Sequence, residues 1–462
     1  MRALSSFLLI YYNQALHLSP TSVSLMISLI VIFDAVCDPL VGYVSDNFRS
    51  RWGRRHPFMY FSAAPLAISF FLLWNPPAGW NEAALLGWLF TCLLVIRVTD
   101  TLFELPSQAL GPELVQDYDG RTRIVNFRIV FRTLASLLVT VLGLQIFMRS
   151  GPDGSGGVTD SAGYFGFSLA LSVIMFCVIL ISAFSTHRYI PFLQKPRHRE
   201  VGSVRAFRQD AKSILTNRAA LVMLGVGMFQ SVAGGTRNGL DLYFGIYFWE
   251  LNQAQLSLMA TMSAVGALIG ACAVGFTSHL FSKRSGTIIF YSLGLLNSTV
   301  PIGLRLLDLM PANGSQALAI ILTAESLLQG MLYVMSAVLM NSMLADVVED
   351  VAVRSGRRSE GLLFSADQFF TKAVSGVGVM ISGGMLAIVA FPRDAKPGRV
   401  DASAIENLGL LYLPVVVGMT LFAVLLLLFY KIDRSMHERN VADVRRMMEF
   451  EDRGATHTPP IG

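Results

Sequence analysis

Charged residues are scarce in this chain: they make up 15% of its 462 residues, whereas 53% are hydrophobic. An average soluble domain has about 25% charged residues, so the composition excludes an ordinary soluble globular protein. Apolar runs of about 20 residues, the length that crosses a bilayer as a helix, recur along the whole sequence. The composition therefore indicates a membrane protein with many spans.

Residues that could support catalysis or hold a metal are few inside these runs. The seven histidines lie in or near predicted loops and tails, and the four cysteines form no Cys-x-x-Cys pair. The glycine-rich stretch 151–157 lacks the Lys-Ser or Lys-Thr ending of a phosphate-binding loop. These absences argue against an enzyme and against a pump driven by ATP, and we expect no cofactor.

Apolar runs and polar breaks predict an all-α membrane protein with twelve transmembrane helices in two pseudo-symmetric six-helix bundles. The predicted domains are an N-terminal bundle (1–186), a cytoplasmic central loop (187–218), a C-terminal bundle (219–430) and a cytoplasmic tail (431–462). The predicted spans are approximately 3–16, 22–46, 57–75, 83–110, 123–148, 163–186, 219–249, 254–277, 286–306, 316–344, 362–391 and 405–430.

Lysine and arginine are distributed unequally between the two sets of predicted loops. One set, together with the tail, holds 26 of these residues, and the opposite set holds 4. Cytoplasmic loops carry such an excess, so both termini are predicted to be cytoplasmic in a multi-pass protein of the plasma membrane, the inner membrane in a bacterium. The net charge of +5 has the same origin and does not indicate a nucleic-acid partner.

Two aspartates stand inside the second predicted span. Asp34 and Asp38 are one helical turn apart, so they share one face of a helix at membrane depth. A carboxylate at the bilayer centre costs about 2.5–3.5 kcal/mol on insertion scales, and such residues normally face a cavity or a partner. Two carboxylates on one face repel each other when both are ionised, and their oxygens suit a hard monovalent cation. The pair is therefore a candidate site for H⁺ or Na⁺.

The stretch Asp38-Pro-Leu-Val-Gly-Tyr-Val-Ser-Asp46 and the following Ser50-Arg-Trp-Gly-Arg-Arg-His-Pro-Phe58 resemble the signature of the glycoside–pentoside–hexuronide:cation symporters of the major facilitator superfamily. Further matches follow in order along the chain. They are Glu104-Leu-Pro106, Arg132-Thr-Leu-Ala-Ser136, Met343-Leu-Ala-Asp346 and Lys372.

This resemblance implies a secondary active transporter that works by alternating access, and it assigns roles to individual residues. The cation site would comprise Asp34, Asp38 and Glu104, with Lys372 as a coupling charge that exchanges partners with them. Candidate contacts of the solute are Glu104, Gln108, Arg132, Asp367 and Gln368. Gln108 stands where the family has a tryptophan, so an amide replaces the aromatic ring that would stack on a sugar.

The family pattern also implies a gate at the cytoplasmic face, in which Asp46 pairs with Arg51, Arg54 and Arg55 and releases them when the protein opens inward. Other charges inside spans have a simpler interpretation. We expect Arg97 to pair with Asp100 on its own helix. For Arg237, Asp241 and Glu325 we expect local pairing or solvation at a helix end.

The leading functional hypothesis is symport of a sugar or glycoside-like solute with Na⁺ or H⁺ by a monomer. The alternative is a cation-coupled carrier of lysophospholipid or another amphiphile, because such carriers share the Asp-x3-Asp-Pro pattern and the Arg132 guanidinium suits a phosphate group as well as hydroxyls. A channel is less consistent with single charges spread over different helices.

The first predicted span is short. Residues 3–16 extend about 21 Å as a helix, against a hydrocarbon core of about 30 Å. We expect this helix to be truncated by an internal start or a fragment boundary, and to be visibly shorter than its companions. The alternative is a natural short helix that the bilayer accommodates by thinning.

Overall fold

The computed structural model describes residues 2–48, 50–114, 118–149, 157–190, 211–277, 281–355, 360–433, 435–440 and 443. Twelve helices that correspond to the predicted spans follow one another along this part of the chain. They are α1 (Arg2–Ile10), α2 (Pro20–Asn47), α3 (His56–Trp74), α4 (Glu82–Leu114), α5 (Tyr118–Val141), α6 (Ala162–His187), α7 (Arg218–Tyr243), α8 (Gln253–Thr277), α9 (Lys283–Leu306), α10 (Gln316–Ser355), α11 (Glu360–Ile388) and α12 (Ala402–Leu427). Eleven of the described helices, all except α1, are long and apolar enough to cross a bilayer.

Polar side chains at the helix starts explain several of these boundaries. The side chain of Asn217 accepts a hydrogen bond from the backbone of Ala220 at the start of α7, and Asp401 accepts one from Ser403 at the start of α12. Such caps satisfy backbone N–H groups that have no partner within the helix. The predicted starts at 219 and 405 lie one and three residues from the observed starts at Arg218 and Ala402.

The first helix of each half ends in the same way. π-Helical turns, Tyr11–Ala15 and Phe244–Phe248, extend α1 and α7, and each is followed by a residue with positive φ, His17 (59°) and Glu250 (51°). This correspondence supports an internal duplication. α1 has nine α-helical residues before its π-helical turn, whereas α7 has 26, and the shortest other helix, α3, has 19. The first helix is thus the shortest of the twelve, as predicted.

The tenth helix is longer than predicted. The sequence pattern placed its end at residue 344, but α10 continues to Ser355. Charged side chains beyond the apolar run stay helical because they have partners in neighbouring elements. Asp346 accepts hydrogen bonds from Lys283 at 2.7 and 2.8 Å, and Asp350 accepts one from Asn217 at 2.6 Å.

Close helix packing depends on glycine in the second half. A Cβ atom at Gly266 of α8 would overlap the carbonyl oxygen of Leu327 of α10, and one at Gly330 would overlap the carbonyl oxygen of Ser263. Small residues allow membrane helices to approach each other in this way. The α8–α10 contact is therefore tight.

The two halves meet through α2 with α11 and through α1 with α7. At one end, which we call the closed end, residues of the first half bind the connection between α11 and α12. The side-chain amide of Gln14 donates to Pro392 O at 2.9 Å and accepts from Ala395 N at 3.0 Å, and Tyr243 Oη donates to Asn13 Oδ1 at 2.6 Å. Buried aromatic side chains surround these hydrogen bonds, among them Tyr11, Tyr12, Trp74, Tyr164, Tyr247 and Phe391. The opposite end, which carries Arg51, Arg54 and Arg55, is called the basic end.

Candidate functional site

The two aspartates of α2 meet the lysine of α11 at the boundary between the halves. Lys372 Nζ lies 2.7 Å from Asp34 Oδ2 and 2.6 Å from Asp38 Oδ2. Only 3% of the Asp34 side chain is exposed, whereas 31% of Asp38 and 33% of Lys372 are exposed. The predicted contact of Lys372 with the two aspartates is present. Its Asp38 side is partly exposed, so solvent can reach it.

Two residues of α4 complete this cluster. Arg97 Nη1 lies 3.2 Å from Asp34 Oδ2, and the Thr101 hydroxyl lies 3.3 Å from Asp34 Oδ1 and 3.0 Å from Asp38 Oδ1. The expected ion pair between Arg97 and Asp100 is therefore wrong, because the guanidinium extends across to α2. Thr101 was missed, although it lies one turn after Arg97 on the same helix.

The formal charges of the cluster sum to zero, because it contains two carboxylates, one ammonium and one guanidinium. A buried charge pair is stable only when its remaining hydrogen-bonding positions are also satisfied, which is what Arg97 and Thr101 do for Asp34. Carboxylate and hydroxyl oxygens of Asp34, Asp38 and Thr101 are the kind of ligands that a hard monovalent cation requires. These three side chains could hold such a cation if Lys372 moved away.

Glu104 and its neighbours form a looser group one turn further along α4. Gln108 Nε2 donates to Glu104 Oε1 at 2.8 Å, and Arg132 Nη2 of α5 lies 4.0 Å from the same oxygen. The side chains of Arg132 and Glu104 are 76% and 48% exposed. An exposed ion pair of this length contributes about 0–1 kcal/mol, so both groups are available to another partner.

Asp367 and Gln368 lie about one turn before Lys372 on α11. The carboxylate of half-buried Asp367 packs beside Gly227 of α7, and the side chain of Gln368 is exposed. The structure thus places them near the α7–α11 contact, and no ion pair with the described residues joins Asp367 to the lysine.

A cavity of about 650 Å³ lies between the halves on the side of α5 and α8. Its wall in the first half includes Arg2, Arg132, Ser136 and Thr140. Its wall in the second half includes the polar residues Arg237, Asn238, Asp241, Ser298, Glu325, Gln329 and Tyr412. Ligand pockets typically have volumes of roughly 300–1,000 Å³.

The charges of the second wall do not make the local ion pairs that the sequence predicted. No carboxylate of a described residue lies within 4.0 Å of the Arg237 guanidinium. With the Gln329 amide turned so that its oxygen faces Arg237, Arg237 Nη1 donates to Gln329 Oε1 at 2.9 Å. Helical spacing placed Arg237 and Asp241 one turn apart, but both side chains turn toward the cavity. The expected local pairing of Arg237 with Asp241 is therefore wrong.

The predicted gate is only partly described. The side chain of Asp46 lies outside the described residues, so its pairing with arginines is untested. Arg55 is buried at the start of α3, Arg54 is half-buried, and the exposed Arg51 stacks its guanidinium over the Trp52 ring at 5.4 Å.

In the second half, Asp346 of α10 binds Lys283 at the start of α9. His437 Nδ1 also lies 3.2 Å from Asp346 and 2.9 Å from Glu349. Asp346, Glu349 and His437 have the spacing of metal ligands. Because both Asp346 oxygens already accept hydrogen bonds from Lys283, we interpret this group as an ion-pair network.

The sequence is similar to known transporters over most of the chain. The sequence is 22% identical to the isoprimeverose transporter of Lactiplantibacillus pentosus over 96% of this chain and 87% of that protein. It is 22% identical to the inner membrane symporter YicJ of Escherichia coli, over 84% and 79% of the two chains. It is also 25% identical to the sodium-dependent lysophosphatidylcholine symporter 1 of Mus musculus, over 97% and 85%.

Solved structures share the fold at low sequence identity. A mutant of the nucleoside transporter NupG matches with a TM-score of 0.61 and 15% identity, covering 93% of this chain and 96% of that one. The family model for the MFS/sugar transport proteins matches residues 1–434. This match agrees with the twelve helices in two halves and with the charge cluster at their boundary. The chain therefore belongs to the MFS/sugar transport protein family, and it is a multi-pass membrane transporter.

Proposed function

We propose that this transporter carries a neutral sugar or glycoside together with a monovalent cation, Na⁺ or H⁺, by alternating access. The observation that carries the proposal is the position of the Lys372 ammonium between Asp34 and Asp38, at 2.7 and 2.6 Å. An ammonium group is itself a monovalent cation, so it occupies the place that a coupling ion would take. The contact also joins α2 of one half to α11 of the other.

This arrangement suggests how the cation could be coupled to movement of the halves. When Na⁺ or H⁺ binds to Asp34 and Asp38, the carboxylates no longer need the ammonium, and Lys372 is released. One ion pair between the halves is thereby replaced by a site within the first half. The equilibrium between conformations then depends on the cation, because the cation interacts differently with the two states.

The solute would bind where both halves line the cavity, and of the candidate contacts Arg132 belongs to its wall. Glu104 lies beside Arg132, and Gln108 beside Glu104, but neither is part of that wall. Glu104, Gln108 and Arg132 offer acceptor and donor groups that are exposed and only weakly paired with one another. A carboxylate accepts hydrogen bonds from hydroxyls, and a guanidinium donates to neighbouring oxygens. Asp367 and Gln368 remain candidate contacts on α11.

Charge distribution supports an inward-facing orientation of the described conformation. The basic end would lie in the cytoplasm, together with both termini, because cytoplasmic loops are rich in arginine and lysine. The closed end would then face outward, and the cavity would extend from Arg2 toward Trp249 at the closed end. We expect the plasma membrane, or the inner membrane in a bacterium, as the location, and a monomer as the functional unit.

Lysophospholipid or another amphiphile is the alternative solute. One observation favours it: apolar side chains, among them Phe244, Trp249, Leu256 and Met259, form part of the cavity wall. The polar residues on both walls favour the sugar, because an acyl chain would leave them without partners.

Uptake by proteoliposomes that contain the purified protein tests the proposal. Sugars, glycosides and lysophosphatidylcholine are supplied with an imposed Na⁺ gradient, an imposed pH gradient or neither. We expect a saccharide to accumulate only with a cation gradient, and lysophosphatidylcholine not to compete. Accumulation of the lysolipid alone would favour the alternative, and gradient-independent equilibration of the solute would contradict symport.

A further inference from the structure

Two arginines of the first half stack on aromatic rings at the basic end, next to two membrane spans. Arg51 Cζ lies 5.4 Å from the centroid of the Trp52 ring just before α3, and Arg188 Cζ lies 4.9 Å from that of the Tyr189 ring just after α6. Both helices are long and apolar enough to cross a bilayer, so the four residues are expected at the membrane surface. All four side chains are exposed, and we refer to them as the basic-aromatic patch.

The two halves of the patch are in contact with each other. A Cβ atom at Gly53 would lie 3.3 Å from Ile190 Cγ2, so the loop before α3 packs against the chain that follows α6. Arg51 and Arg188 are each two residues away from this contact. Two guanidinium groups from different parts of the sequence therefore belong to one surface.

An apolar stripe on the outside of α6 leads up to the patch. Ile181 and Phe184 are 65% and 64% exposed, and Arg188 follows them at spacings of seven and four residues, on the same helical face. Tyr60 of α3 connects the stripe to the patch, because its ring packs against Phe184 at 5.1 Å and against Trp52 at 5.8 Å between centroids. A molecule bound at the patch could extend along α6 into the apolar part of the bilayer.

The guanidinium groups of the patch are available to an anion. No carboxylate of a described residue lies within 4.0 Å of Arg51 or Arg188. Arg188 Nη2 donates to Tyr189 Oη at 2.9 Å, which uses one of its several N–H donors. A ring holds a guanidinium by its face, so the N–H edge can still bind two oxygens of a phosphate.

The combination of charge and apolar stripe favours one class of ligand. A zwitterionic headgroup would bring an ammonium close to two guanidinium groups, and no carboxylate of a described residue is near enough to neutralise it. A soluble phosphate would match the charge but would not contact Ile181 and Phe184. An anionic phospholipid matches both features, and basic pockets between membrane helices bind such headgroups. A general excess of arginine at this end would not require a ring beneath each guanidinium.

We propose that the basic-aromatic patch is a binding site for an anionic phospholipid, separate from the cation cluster and from the cavity. The phosphate binds to Arg51 and Arg188, and the acyl chains pack along Ile181 and Phe184. Trp52 and Tyr189 lie at headgroup level, where amphipathic aromatic rings are favoured. The site is formed by the first half alone, so it does not depend on the proposed sugar transport.

Native mass spectrometry of the full chain, released from detergent micelles, tests this assignment. The protein is titrated with phosphatidylglycerol, or with phosphatidylcholine that has the same acyl chains, and the affinity for the first bound lipid is measured. The unmodified protein should prefer phosphatidylglycerol at least about twentyfold. Arg51→Gln and Arg188→Gln should each weaken phosphatidylglycerol binding about fivefold, and the double variant should bind the two lipids within about twofold of each other.

The matched control is Arg439→Gln, which removes the same charge from an exposed arginine of the tail. Arg439 Nε and Nη2 donate to Ser435 at 3.1 Å, so this guanidinium is not part of the patch. The variant should leave both lipid affinities unchanged. Trp52→Leu should weaken phosphatidylglycerol binding and Trp52→Phe should largely retain it, because phenylalanine keeps a ring beneath Arg51. An unchanged phosphatidylcholine affinity verifies that each variant is folded.

Several results would overturn the inference while leaving the proposed transport intact. Equal affinity of the unmodified protein for the two lipids would do so, as would full phosphatidylglycerol binding by both single arginine variants. A loss in Arg439→Gln as large as that in Arg51→Gln would show attraction by net charge only. Displacement of phosphatidylglycerol by excess inorganic phosphate would show a site for a free anion instead of a lipid.

Discussion

The Nζ atom of Lys372 on α11 lies 2.6 Å from Oδ2 of Asp38 on α2, and this contact crosses the boundary between the two halves of the transporter. The same ammonium lies 2.7 Å from Asp34, so a single lysine is shared by two carboxylates. The proposed coupling mechanism depends on exchange of this ammonium for a transported cation.

Neutralising Asp38 tests the role of the more exposed carboxylate. Asp38→Asn keeps the shape but removes a charged ligand of the cation, and the solute contacts on α4 and α5 remain. We expect loss of accumulation driven by a cation gradient in proteoliposomes, with exchange of solute between the two sides retained. Asp308→Asn, at an exposed carboxylate on the connection after α9, is the control. An Asp38→Asn protein that concentrates its solute normally would show that Asp38 is not a coupling residue.

A double-mutant cycle tests whether Lys372 and Asp38 stabilise each other. Lys372→Ala leaves two carboxylates facing each other, with Arg97 as the remaining cation of the described residues in contact with them, so it should lower the melting temperature and the yield of purified protein. Adding Asp38→Asn should restore part of that loss, with a coupling energy above about 1 kcal/mol. The pair Lys372→Ala with Asp308→Asn should be additive, and additivity in the first pair as well would contradict the observed contact.

The Thr101 hydroxyl is expected to contribute to the affinity for the cation. Thr101→Val removes the hydroxyl that lies beside both carboxylates, while the shape of the side chain is nearly kept. We expect an approximately tenfold weaker cation affinity by isothermal titration, and near-normal affinity in Thr101→Ser. Thr99→Val is the matched control, because Thr99 is also buried on α4 and its hydroxyl donates only to backbone oxygens at 2.6 and 3.2 Å. Equal effects of the two valine substitutions would exclude a specific role for Thr101.

Gln14 is expected to keep the closed end closed. Its amide bridges to Pro392 O and Ala395 N of the other half, so Gln14→Ala removes the partner of both backbone groups. The loss should cost about 1–3 kcal/mol at the buried Ala395 N–H and less at the half-buried Pro392 oxygen. The population open at the closed end should rise. It can be measured as faster modification of an Asn238→Cys thiol by an impermeant reagent applied from that side, with exposed Lys396→Ala as the control. An unchanged rate would show that other contacts determine closure.

The sequence predicted the helices well because their apolar runs and the polar breaks between them are local features. It also predicted that Lys372 meets Asp34 and Asp38, since an unpaired ammonium at membrane depth needs a carboxylate. The position of Arg97 was predicted incorrectly because spacing along one helix shows which side chains are neighbours, but not which way that face points. Arg97 turns toward α2, and Asp241 turns toward the cavity, only because of how the helices are rotated in the bundle.

Thr101 shows a second limit of the sequence. A threonine inside a membrane helix commonly bonds to its own backbone, as Thr99 does, and nothing local distinguishes the two residues. Only the approach of α2 makes Thr101 a partner of the aspartates. The roles of the cluster, the solute contacts and the gate at Asp46 remain predictions that require measurement.

The most direct test of cation-coupled sugar transport is reciprocal binding to the purified protein. Thermodynamic linkage requires that, if a cation raises the sugar affinity by some factor, the sugar raises the cation affinity by the same factor. We predict that the sugar affinity and the cation affinity of the unmodified protein rise by the same factor, at least about fivefold. The sugar is titrated at zero and saturating Na⁺, or at two pH values, and the cation is titrated with and without sugar. Sugar affinity that is independent of both Na⁺ and pH would contradict the account.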